Sequence, residues 1–238
     1  MYISQTLRRA VQLNGQGTAT VFAGRRQTWR EFEDRIACLA NGLLSLGINA
    51  GDRVAILALN SDRYLEYFYA VSWAGAAVNP VNIRLAPPEI AYTLNDSGSK
   101  VLFVDDTFAA LLPSLQPQLE SIKHVVFMGE GECPQGCIDY ESLVANADRI
   151  RDANAGGDDL AGLFYTGGTT GRSKGVMLSH DNLVFNALNV VAEMGYDSDT
   201  IYMHAGHMFH LADMASTFDA TRAAWTHCMA LALSLAER

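Results

Sequence analysis

The chain has 238 residues, 49% apolar and 18% charged, with 17 basic against 26 acidic side chains and a formal charge of −9. That apolar content supports a large buried core and excludes whole-chain disorder; the acidic balance argues against a nucleic-acid-binding surface. Twenty glycines without a triplet period and only four cysteines exclude collagen-like and disulfide-scaffold classes.

The opening MYISQTLRRAVQLNG carries two arginines with no apolar stretch behind them, so it does not read as a secretory signal. Residues 18–22 and 27–29 flank Gly24-Arg25 and predict a short hairpin. Thr28 and Glu31 then form a capping-box pair that opens a helix, whose apolar residues Phe32, Ile36, Leu39, Leu43 and Leu46 share one face and which stops at Gly47. Residues 54–59 form an apolar run of strand length. Ser61 caps the next helix, in which Tyr64, Tyr67, Phe68 and Tyr69 read as core.

Residues 77–81, 101–104 and 125–128 repeat the strand pattern, with Pro87 opening an intervening helix that runs to Asn95. Short apolar strands alternating with helices imply an α/β fold, with parallel sheets flanked by helices. The uncharged run between Glu66 and Arg84 is interrupted by Gly75, Asn79, Pro80 and Asn82, so no membrane span is expected.

Three segments are expected: a first α/β subdomain over 1–128, a loop-rich connection over 129–159 that joins two sheets, and the start of a second α/β subdomain over 160–238. The connection contains Cys133 and Cys137, which read as a zinc half-site, a disulfide, or plain loop cysteines; no second Cys/His pair has zinc-ligand spacing. Cys38 and Cys228 read as small buried hydrophobes. Four unpaired thiols fit a reducing, cytoplasmic compartment.

The most specific segment is Tyr165, Thr166, Gly167, Gly168, Thr169, Thr170, Gly171, Arg172, Ser173, Lys174 and Gly175. Glycines let backbone N–H groups converge on an anion, the threonines add hydroxyl donors, and Arg172 and Lys174 add positive charge in an acidic chain. It is not a GxxxxGK[ST] P-loop, because Ser173 precedes Lys174, Gly175 follows it, and a strand-like VMLS comes before any helix. Composition alone leaves a flexible Gly/Thr hairpin and a phosphate loop both open.

The segment resembles the signature loop of the adenylate-forming, or AMP-binding, superfamily, written [YF]-T-[SG]-G-[ST]-[TS]-G-x-[PS]-K-G. Other stretches are similar to that family in the same order: LANGLLSLGINAGDRV over 39–54, WAGAAVNPVNIR over 73–84, His180-Asp181-Asn182-Leu183, and His207-Met208-Phe209-His210, where His207 replaces the common proline. The acyl-CoA synthetase branch fits best, since amino-acid-activating relatives carry an F-D-x-S segment where this chain has FHLADM.

The resemblance implies that a carboxylic acid and Mg²⁺-ATP give an acyl-adenylate and pyrophosphate, and that coenzyme A then takes the acyl group. It implies phosphate binding by Thr166, Gly167, Gly168, Thr169, Thr170, Gly171, Arg172 and Lys174 and an acyl-pocket role for His210; separately, the residues predict no metal site. His204, His207 and His210 form an H-x2-H-x2-H series, yet no carboxylate or cysteine ligand keeps that spacing. His124, His180 and His227 read as structural or solvent-exposed.

Superfamily members are about twice this length, and their later motifs are absent here: a Tyr-Gly-x-Thr-Glu segment, a ribose-binding aspartate, a hinge residue and a C-terminal lysine. The stretch after Asp219 also departs from the family's Gly-Gly pattern, and 223–236 carries no charge. The chain is therefore expected to be an N-terminal fragment of an acid–CoA ligase, with no complete set of catalytic residues and inactive alone. The alternative is a non-catalytic nucleotide-binding or dimerising fragment. An exposed sheet edge and apolar patch are expected to drive homo-oligomerisation.

Overall fold

The computed structural model describes residues 1–166, 172–194 and 199–229. In chain order the elements are α1 (Ser4–Asn14), β1 (Thr18–Phe22), β2 (Arg25–Thr28), α2 (Trp29–Ser45), β3 (Arg53–Leu57), α3 (Asp62–Trp73), β4 (Ala77–Pro80), α4 (Pro87–Ser97), β5 (Val101–Val104), α5 (Asp106–Ala109) and α6 (Leu112–Leu115). They continue with β6 (His124–Phe127), β7 (Ile138–Asp139), α7 (Tyr140–Ala145), β8 (Leu160–Thr166), β9 (Lys174–Ser179), α8 (His180–Met194), β10 (Ile201–His204), α9 (Leu211–Arg222) and β11 (Thr226–Met229).

Local chemistry sets the helix starts. The Thr28 hydroxyl accepts from Glu31 N at 3.2 Å while the Glu31 carboxylate accepts from Thr28 N at 2.8 Å, the reciprocal box expected from sequence. Ser61 Oγ accepts from Tyr64 N at the head of α3, and Ser179 Oγ accepts from Asn182 N at the head of α8. Gly47 follows α2 with φ of +81°, a backbone conformation that a side chain disfavours.

Two sheets result, both mixed. The larger has the order β7-β6-β5-β3-β4-β8-β9, parallel except for the antiparallel β8–β9 pair; the smaller has the order β10-β11-β1-β2, antiparallel only between β1 and β2. Alternate residues of β3, β5 and β6 divide between two apolar layers. Val54, Ile56, Val101, Phe103 and Val126 face the layer containing α2, α3 and α9. Ala55, Leu57, Leu102, Val104 and Phe127 face the layer containing α4 and the short helices α5 and α6.

The connection 129–159 does not join two sheets. It begins after β6, adds β7 at the edge of the larger sheet, and returns to the same sheet through β8, which pairs with β4 at Val78↔Gly162. β8 and β9 thus extend the sheet begun by β3, whereas β10 and β11 add to the sheet begun by the N-terminal hairpin. The physical reason is that β4 keeps a free parallel edge, and β8 satisfies it despite the long separation in sequence. Among the described residues no helix is long and apolar enough to cross a membrane.

Candidate functional site

The Gly/Thr segment grows out of the β8–β9 hairpin. Pairing at Thr166↔Lys174 and Tyr165↔Gly175 sets Thr166 directly across the ladder from Lys174. Both are exposed, as is Arg172. Residues Gly167, Gly168, Thr169, Thr170 and Gly171 lie outside the described residues, so the expectation for them rests on sequence. Gly162 anchors the hairpin against β4, because a Cβ there would stand 2.8 Å from Val78 Cγ2.

Helix α4 braces both stems of the hairpin. The Tyr165 hydroxyl donates to Asp96 Oδ2 at 2.6 Å, and the Arg172 guanidinium sits 5.1 Å over the Tyr92 ring, one turn earlier on the same helix. Burial, with the Asp96 carboxylate alongside, pushes the Tyr165 phenol well above its ordinary value, so it remains a neutral donor.

The three histidines of the H-x2-H-x2-H series go to three different places. His204 is buried in β10 and pairs with Asp213; His207 stacks on Phe209 at 5.3 Å; His210 is exposed and caps α9. The His210 Nδ1 accepts from Ala212 N at 3.2 Å. That bond leaves Nε2 as the protonated nitrogen of the neutral ring, a donor presented at the helix head. Among the described residues no group of three or more His, Cys, Asp or Glu side chains could hold a metal ion.

Sequence reasoning missed Asn60, just beyond β3. Its Nδ2 donates to His204 O at 3.3 Å and Gly206 O at 2.5 Å, and its Oδ1 accepts from Met208 N at 2.9 Å. One side chain therefore satisfies three backbone groups of the turn leading to His210. Only the tertiary approach of β3 to β10 reveals it.

Beside that turn, α8, α9 and β9 enclose a cavity of about 440 Å³. Leu178, Leu183, Val190, Leu211, Ala212 and Ala215 supply apolar wall, with Asn182, Asn186 and Ser216 as polar points and no charged side chain. A second crevice of about 210 Å³ lies at the carboxyl ends of β3, β5 and β6, where open α/β sheets often bind ligands. Its charged groups are engaged internally. Arg25 binds Asp62 and Glu130, Arg63 reaches Glu141 and the Met128 and Gly129 carbonyls, and Asp106 accepts from Glu130 N and Gly131 N.

The chain fits the family of AMP-binding enzymes over residues 7–231 and belongs to it. The curated relatives it matches include acid–CoA ligases. It is 37% identical to a feruloyl-CoA synthase from Amycolatopsis over 86% of this chain and 38% of that protein. It is 36% identical to a long-chain-fatty-acid–CoA ligase from Thermus thermophilus over 82% of this chain and 36% of that protein.

The chain thus spans well under half the length of these relatives. Among solved structures, ATP-bound MatB from Rhodopseudomonas palustris aligns at 28% identity with a TM-score of 0.82, over 97% of this chain and 45% of that one. The inhibitor-bound N-terminal domain of FACL13 from Mycobacterium tuberculosis aligns at 26% identity and 0.87, over 98% and 58%.

Proposed function

We propose that this chain carries the phosphate-side and acid-side elements of an ATP-dependent acid–CoA ligase. The observation that carries the reading is the hairpin mouth, where Thr166 and Lys174 face one another across the ladder at the two ends of the Gly/Thr segment. Thr166 and Lys174, with Gly167, Gly168, Thr169, Thr170, Gly171 and Arg172, would hold the β- and γ-phosphates of ATP. A carboxylate oxygen of the acid attacks the α-phosphorus, the bond to the β-phosphate bridging oxygen breaks, and pyrophosphate leaves. The coenzyme A thiolate then attacks the acyl carbon and AMP leaves. Charge builds on phosphoryl oxygens, so positioned donors and cations carry the demand and no protein nucleophile is needed. Mg²⁺ enters as part of the nucleotide substrate.

His210, with Nε2–H free, would donate to the acid carboxylate at the head of the α8–α9 cavity. The neutral lining of that cavity supports an apolar acyl or aryl tail over an amino acid, whose ammonium would need a carboxylate there. The four unpaired thiols support a reducing, cytoplasmic setting. Exposed Met177, Ile201 and Met203, on the terminal strands β9 and β10, support self-association.

Carboxylate-dependent pyrophosphate exchange and direct ATP titration test the reading. The chain alone is expected to show no exchange and to bind ATP at millimolar strength or weaker, about −4 kcal/mol or less favourable. Lys174→Ala is expected to weaken that binding a further tenfold or more, the loss of one charge-assisted phosphate contact. Unchanged ATP affinity in Lys174→Ala would remove the phosphate role. Exchange above background by the chain alone would overturn its assignment as inactive.

A further inference from the structure

Behind the His210 turn lies a buried polar chain that no step of the reaction uses. Asp213 stands in the first turn of α9, where a carboxylate ordinarily folds back onto the helix's own N–H groups. Here it turns inward, and its Oδ2 lies 2.7 Å from His204 Nδ1. The His204 Nε2 lies 2.9 Å from His227 Nδ1 on the adjacent strand β11, and the His227 Nε2 lies 3.0 Å from Thr221 Oγ1. His204 and His227 are fully buried and Asp213 is 6% exposed.

Neighbours fix the rings. The two imidazoles lie side by side with planes 12° apart, Tyr202 packs edge-on to His204, and Trp29 packs edge-on to His227. Gly206 lets Asp213 approach, since a Cβ at Gly206 would meet Asp213 Cβ at 3.2 Å.

Hydrogen counting leaves one consistent arrangement for neutral rings. Ionised Asp213 only accepts, so His204 Nδ1 carries a proton and its Nε2 accepts. His227 Nδ1 must then donate, and its Nε2 accepts from the Thr221 hydroxyl. Burial pushes the His227 imidazole well below its ordinary value, which keeps that ring neutral. With both rings neutral, every donor in the chain points toward the Asp213 carboxylate.

We propose that Asp213, His204 and His227 are positioning residues that, with Asn60, hold the His204–His210 turn so that His210 keeps one orientation and one tautomer. The turn is gripped from two sides. Asn60 binds its backbone from β3, and Asp213 ties the first turn of α9 to β10 and β11. Asp213 N and Met214 N both donate to His210 O, at 3.1 and 3.0 Å, so a shift of Asp213 moves His210 directly. Its value to the acid site rests on the function proposed above, whereas the mechanical coupling does not.

The test is a long-range ¹H–¹⁵N imidazole spectrum of the full chain, with a titration of decanoate alongside. In the wild type, His210 is expected to show an unprotonated Nδ1, and His227 a protonated Nδ1 with an unprotonated Nε2. Asp213→Ala is expected to move His210 to the averaged signals of a free imidazole and to weaken decanoate binding at least tenfold. Asp213→Asn, which keeps an acceptor oxygen, is expected to restore both. Thr28→Ala, a remote cap of similar cost, must leave the His210 signals in place.

Unchanged His210 signals in folded Asp213→Ala overturn the proposal, as does a His227 protonated only at Nε2. If Asp213→Ala does not fold, His227→Gln carries the same test from the far end of the chain, with the same overturning result. Absence of decanoate binding in the wild type would count against the acid-site reading alone, because the His210 signals still decide the coupling.

Discussion

Helices α3 and α8 have similar lengths and apolar content but opposite surroundings. All twelve residues of α3 are buried, Asp62, Arg63 and Glu66 among them. α8 buries His180, Leu183, Val184 and Ala187 and leaves Phe185 and Met194 about half exposed. The difference lies in what wraps them. α3 runs under α1 and α2 against the centre of the larger sheet, while α8 lies with α9 beside the outer strands β8 and β9. A helix enclosed on all sides must satisfy its charges internally. Glu66 accordingly accepts from Gln27, from Arg35 at 2.7 Å, and from the Tyr140 hydroxyl, and Arg35 and Arg63 share Glu141.

The contrast is sharpest at two phenylalanines. Phe68→Ala is expected to cost about 3–5 kcal/mol in urea unfolding, since it opens a cavity in fully packed core. Next comes Glu66→Ala, at about 3 kcal/mol, because it strips Arg35 and the Tyr140 hydroxyl of their buried partner. An effect below about 1 kcal/mol at either site would break the picture of α3 as an enclosed helix.

Acidification probes the same enclosure around histidine. Burial pushes the His180 and His227 imidazoles down, so the fold keeps them neutral while the unfolded chain takes up protons below about pH 6.5. The associated stability is complete above that pH and falls as the solution is acidified, by about 1.4 kcal/mol per pH unit for an imidazole that stays neutral. Asp219 opposes the trend. Burial pushes its carboxyl up to about 6, so it holds its proton in the fold and offsets part of the loss between about pH 6 and pH 4. The melting temperature is expected to drop by several degrees from pH 7 to pH 5, with a shallower slope in His227→Gln. A flat profile would contradict this account. The smallest expected effect is Phe185→Ala, within about 0.5 kcal/mol of wild type, and a larger cost would mean that α8 is covered after all.

Local devices were legible in the sequence. The Thr28–Glu31 box, the Ser61 cap and the apolar runs of β3 to β6 are each decided by a few adjacent residues. The aromatic cluster of α3 was legible as core, though not its enclosure, because Glu66 and Arg63 are polar in sequence and find their partners only through tertiary contact. β7 escaped notice as two residues long, and α1 because its buried set, Ser4, Thr6, Leu7 and Ala10, is half polar. The hairpin at Thr166 and Lys174 was one of two readings that composition left open. Asn60 was not legible, because its partners lie more than 140 residues away, and the inward turn of Asp213 onto His204 and His227 was not, because it depends on how α9 packs against β10 and β11.

The parallel pairing of β1 with β11, at Thr20↔His227 and Val21↔Cys228, joins the first strand of the chain to the last one described. During synthesis the N-terminal hairpin can form within microseconds, but its parallel neighbour emerges from the ribosome only after the larger sheet is available to fold. Such a long-range closure is entropically late, so β1 and β2 wait as an open ribbon while the rest assembles. The His204–His227 contact should then be among the last native interactions to form, and its exchange-protected imidazole protons would report the final step of folding.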